Sequence, residues 1–165
     1  MANTYQLISS VTVGSGGAAN IEFTSIPATY TDLVLKVSPR VSSTNSTTYI
    51  DYNSNTSNQS WNRLYNSSGT AGGDTGSRQL MYSVTSDFTA STFGSTDIYI
   101  PNYASSNNKS SSLDTVQENN SATNGQALIG NLWANSAAIT SIRIVPFSGT
   151  FVQYSTAYLY GISNA

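Results

Sequence analysis

The sequence predicts an all-β fold: an antiparallel β-sandwich, jelly-roll-like, of about eleven short strands. Three observations carry this. Ser, Thr and Asn supply 29, 20 and 17 of the 165 residues, and all three are poor helix formers. Aromatic residues make up 11% of the chain and charged residues only 8%, the reverse of a disordered composition. Short runs of alternating apolar and polar residues recur between turns rich in Gly, Asn and Ser, which is the signature of half-buried strands. With no fixed-period repeat and no linker, residues 1–165 are expected to form one domain.

The elements follow in order. Residues 5–13 (YQLISSVTV) and 19–24 (ANIEFT) read as strands on either side of the turn Gly14-Ser15-Gly16-Gly17, an expected hairpin. Pro27 ends the second run. Residues 31–40 (TDLVLKVSPR) give the cleanest alternation: Leu33, Leu35 and Val37 toward a core, Asp32, Val34 and Lys36 away from it. Shorter strands are expected over 48–52 and 60–66, the latter with Trp61, Arg63 and Tyr65 on one face and Asn62, Leu64 and Asn66 on the other. Residues 67–76 (SSGTAGGDTG) read as a flexible loop. Further strands are expected over 78–84, 96–103, 112–118, 126–133, 138–146 and 151–162, with turns at 105–110 and 119–125. Within 96–103, Ile98 and Ile100 face inward and Asp97 and Tyr99 outward.

Several function classes are excluded or disfavoured by what is missing. The chain has no Cys and no His, so thiolate chemistry, imidazole metal ligation and Ser-His-Asp catalysis are out. Six basic residues against eight acidic ones give a net charge of −2, which argues against binding nucleic acid through its phosphates. No apolar stretch is long enough to span a membrane as a helix. The first residues, MANTYQLISS, lack the basic and apolar regions of a secretory signal. The six N-x-S/T sequons, at Asn45, Asn55, Asn58, Asn66, Asn108 and Asn119, follow from composition, and no glycosylation is expected.

The remaining chemistry is thin. The carboxylates Glu22, Asp32, Asp51, Asp74, Asp87, Asp97, Asp114 and Glu118 fall mostly on outward strand positions or in loops, and the sequence does not bring any two together as a hydrolytic pair. Asp51, Asn53 and Asn55 alternate loosely like a calcium loop but lack its central Gly and downstream Glu. No Lys-Ser/Thr follows Gly14-Ser15-Gly16-Gly17, so a turn is favoured over a phosphate loop. No cofactor, metal or catalytic residue is expected. The candidate contact residues for a partner or a glycan are aromatic: Trp61, Tyr65, Tyr99 and Tyr103, with Arg63 beside them. The plainer reading of the same aromatics is core filling with the hydroxyl at its edge.

Four stretches carry a resemblance: residues 4–8 (TYQLI), 25–35 (SIPATYTDLVL), 98–103 (IYIPNY) and 158–162 (YLYGI). They resemble small β-rich structural proteins of tailed phages, many from aquatic bacteria, some of which look like head decoration (cement) proteins. The resemblance implies a jelly roll that trimerises on the capsid surface, bound to the major capsid protein. It implies a non-enzymatic role in the virion and assigns no functional residue. The alternative is a tail-fibre or receptor-binding tip that recognises host-surface glycan, with Trp61 and Tyr65 as its platform. The strand pattern starting at residue 4 or 5 favours a self-contained module over the end of a fibre.

Overall fold

The computed structural model describes residues 4–120 and 125–163. These contain twelve strands: β1 (Tyr5–Thr12), β2 (Ile21–Phe23), β3 (Asp32–Ser38), β4 (Thr47–Tyr52), β5 (Gln59–Ser67), β6 (Thr70–Ser77), β7 (Leu80–Tyr82), β8 (Ser95–Ile100), β9 (Lys109–Gln117), β10 (Gly125–Trp133), β11 (Ile142–Pro146) and β12 (Thr156–Ile162). An eight-stranded sheet has the order β1-β12-β3-β8-β9-β10-β5-β6, and a four-stranded sheet the order β2-β11-β4-β7. Every strand pairing is antiparallel. The fold is the expected antiparallel sandwich, divided unequally between its two sheets.

Alternation builds the core as the sequence predicts. Leu33, Leu35 and Val37 of β3 are buried, as are Ile98 and Ile100 of β8 and Ile142 and Ile144 of β11. They pack with Ile21, Phe23, Ile50, Tyr52, Leu159 and Trp133 between the sheets. Full burial of one such aliphatic side chain is worth about 1.5–3 kcal/mol.

Two expectations are corrected. First, residues 5–13 and 19–24 do not form a hairpin. β1 pairs with β12 at the edge of the large sheet, and β2 pairs with β11 at the edge of the small one. The Gly-rich segment between them crosses from one sheet to the other, alongside the β11–β12 connection. Tyr154 donates to Val13 O and Ala18 to Phe151 O. Gly17 has φ of 71°, and a Cβ there would stand 2.9 Å from Phe151 O, so glycine is required by both conformation and space.

Second, residues 67–76 are no flexible loop. Thr70–Ser77 is β6, paired with β5 along its whole length. Ser68 and Gly69 both have positive φ, 51° and 82°, and join the strands as a two-residue turn of the kind whose twist suits a hairpin. The flanking expectations need smaller adjustments. Lys109 and Ser110 belong to β9, and the last strand begins at Thr156. The turn expected over 119–125 falls partly on residues 121–124, which lie outside the described residues, and Gly125 opens β10.

The four stretches that carry the resemblance converge in space. They lie in or beside β1, β3, β8 and β12, which are consecutive neighbours in the large sheet. Tyr30 sits with its ring against Gly161. The Tyr103 hydroxyl donates to Pro27 O, and the rings of Tyr5 and Tyr160 meet edge to face at 6.3 Å. One half of the sheet is therefore held together by contacts between these stretches.

Candidate functional site

The five aromatic and basic residues singled out from the sequence divide among three environments. Trp61, Arg63 and Tyr65 do share one face of β5 and are half-buried. Their cross-strand partners on β6 are Gly76, Asp74 and Gly72. The glycines leave room for the rings: a Cβ at Gly76 would stand 2.5 Å from the Trp61 indole, and one at Gly72 2.7 Å from the Tyr65 ring. Arg63 lies between the two rings, its guanidinium 5.1 Å from the Trp61 centroid and 4.8 Å from that of Tyr65. Its Nη2 donates to Asp74 Oδ2 at 2.6 Å, and Nε donates to Oδ1. That bonding holds the Asp74 carboxyl below the usual carboxylate range. The rings and the cation are thus committed to one another. The alternation W-x-R-x-Y, answered in reverse by G-x-D-x-G, was the available sign that β6 is a strand.

Tyr103 is fully buried. Its ring is core and its hydroxyl pins the chain at Pro27, so it is no surface contact. Burial holds its phenol above the ordinary tyrosine range. Tyr99 is exposed on the outer face of the large sheet. Its hydroxyl donates to Asp32 Oδ2 at 2.8 Å, and this bond raises its pKa.

Around Tyr99 lies the feature that sequence reasoning missed. The outer face of the large sheet carries an open trough of about 750 Å³. Strand register explains its shape. One row across the sheet reads Val34, Tyr99, Ser112, Gly130, Asn62. Ser112 and Gly130, the smallest side chains of the row, form the floor. The neighbouring row reads Lys36, Asp97, Asp114, Leu128, Leu64. Leu64 and Leu128 stand 68% and 62% exposed, and Tyr5 55%. Leu64 was visible as the odd apolar residue on the polar face of β5. Its alignment with Leu128 across two strands was not, because strand pairing is not readable from one segment.

The calcium-like pattern at residues 51–55 is taken up by the chain itself. Asp51 is fully buried on β4 and receives hydrogen bonds from Arg78 and Arg143, at 2.8 and 3.2 Å for the closest pairs. The Asn53 side chain bonds the 138–141 segment, accepting from Thr140 and Ser141 and donating to Ala138 O. Asn55 Oδ1 accepts from Ser57. Among the described residues no three acidic side chains cluster as a metal site, and no helix is long and apolar enough to cross a membrane. Compared with models of known protein families, the chain matches none. No curated protein matches it either.

Proposed function

We propose that the chain is a structural binding module that docks on another protein through the outer face of its eight-stranded sheet. In the setting its sequence resemblance implies, it is a decoration protein that cements the major capsid protein of a phage head as a trimer. The observation that carries the docking reading is the apolar trough. Large apolar side chains aligned on an exposed face, rimmed by polar ones, mark protein contact sites. A symmetric oligomer that presents several copies of such a face gains strength by avidity, so each contact need be only modest.

The glycan-binding alternative rests on Trp61 and Tyr65. Their rings lie on glycines and flank Arg63, which leaves less of each ring to stack on a sugar. For hydrolysis, strand register among the described residues sets Asp97 opposite Asp114. A general acid of such a pair must be kept protonated by a sheltered site, and the Asp97 side chain is 55% exposed beside Lys36. Both observations favour protein docking.

The testing experiment is the copy number of this chain per purified virion, by quantitative mass spectrometry against the major capsid protein. A ratio that is one or a simple fraction supports decoration, as lattice symmetry demands. A ratio of about one in a hundred refers the chain to the tail and refutes the capsid reading. Light scattering that gives a stable monomer refutes the trimer.

A further inference from the structure

The charges on the outer face of the large sheet are unevenly matched. The chain has six cationic side chains, and all six are engaged within the fold. Lys36 pairs with Asp97, Arg63 with Asp74, and Arg78 and Arg143 with Asp51. Arg40 donates to the carbonyls of Ser86, Phe88, Thr89 and Thr92. Lys109 is buried and donates to the carbonyls of Ser105 and Asn107. In the trough, Asp97 and Asp114 face each other across β8 and β9, an arrangement that destabilises a sheet when left unanswered. Lys36 answers Asp97. Among the described residues Asp114 forms no ion pair, and its other cross-strand neighbour is Leu128.

We infer that the trough receives a partner protein's Arg or Lys side chain flanked by apolar residues, with the cationic head at Asp97 and Asp114 and the apolar flanks on Leu64 and Leu128. This rests on the reading of that face as a protein-docking surface. The acidic pair set in an apolar surround is complementary to such a segment, since a long basic side chain buries its stem and keeps its head at the charge. A second copy of this chain is a poor source, because each of its six cations is already engaged.

The test is an NMR titration of the whole chain with blocked tripeptides, acetyl-Leu-Arg-Leu-amide and its Gln counterpart, and separately with calcium chloride. The expected result is that the Arg peptide shifts the amides of Asp97, Asp114 and Leu128. It should bind about tenfold more tightly than the Gln peptide. That preference disappears in Asp114→Asn and shrinks as salt is raised. Equal binding of the two peptides, or a preference that survives Asp114→Asn, overturns the inference and leaves the apolar docking face standing. A face untouched by either peptide overturns the inference and the docking reading together. Calcium shifting the same amides at lower concentration than the Arg peptide overturns it in favour of a metal site.

Discussion

Gly161→Ala tests the junction that joins the resemblance-bearing stretches. Gly161 is buried on β12, and the Tyr30 ring lies flat against it. An added Cβ would stand 2.5 Å from Tyr30 Cδ1 and closer still to Cγ and Cδ2. Ordinary carbon contacts are about 3.5–4.0 Å, so the ring must retreat by about 1 Å or more. The overlap is at the root of the ring, so rotation about the Cβ–Cγ bond does not relieve it. The segment that carries Tyr30 is also anchored, because the Tyr103 hydroxyl donates to Pro27 O. The expected cost is that of overpacking a core, about 1–3 kcal/mol. In a chain of this length that lowers Tm by roughly 2–4 °C per kcal/mol. Calorimetry on four proteins provides the assay: the parent, Gly161→Ala, Tyr30→Ala and the double variant. Tyr30→Ala removes the obstacle, so adding Gly161→Ala in that background should cost almost nothing and the cycle should show strong coupling. An equal cost in both backgrounds, or no cost in the parent, refutes the packing argument.

Tyr103→Phe removes the hydroxyl that satisfies Pro27 O, and denaturant unfolding should show a loss of about 1–3 kcal/mol with unchanged slope. Arg40→Ala frees the four carbonyls it holds. Hydrogen exchange at Phe88 and Thr92 should accelerate about tenfold or more, while the amides of β3 and β12 stay protected. The phenols of Tyr52, Tyr99 and Tyr103 all sit above the ordinary tyrosine range, Tyr52 and Tyr103 through burial and Tyr99 through its bond to Asp32. Their stabilising contribution is therefore complete below about pH 10 and is lost as pH rises through the raised folded values. An ultraviolet phenolate titration of the parent against Tyr52→Phe should show that the absorbance lost belongs to a phenol ionising above about pH 10; a loss at about pH 10 or below would contradict this assignment. At the acid end, Asp74 is held low by Arg63, so its contribution is present above about pH 4 and fades as pH falls through the lower folded value. Asp74→Asn should flatten that limb of a Tm-against-pH curve.

Local order was legible in the sequence. Period-two alternation placed Leu33, Leu35 and Val37 in the core and Asp97 and Tyr99 outside it, because a strand presents successive side chains to opposite faces whatever its neighbours are. The absence of His and Cys settled which chemistries are missing. Strand partners were beyond it. The Gly14–Gly17 segment has the composition of a hairpin turn and instead carries the chain between sheets, since which strand lies opposite depends on contacts more than a hundred residues away, such as Val13 with Ser155. β6 looked like a loop because glycine composition signals flexibility. The rings of Trp61 and Tyr65 cover Gly76 and Gly72 and turn that composition into a strand. Tyr103 and Tyr99 stand four residues apart. The strand ends at Ile100 between them, and the following turn sends one ring into the core and leaves the other on the surface. The trough on the outer face of the large sheet is where sequence alone was least informative. Val34, Ser112, Gly130, Leu128 and Leu64 come from four separate strands, and only the register that pairs those strands lines up a small-residue floor beside an apolar wall.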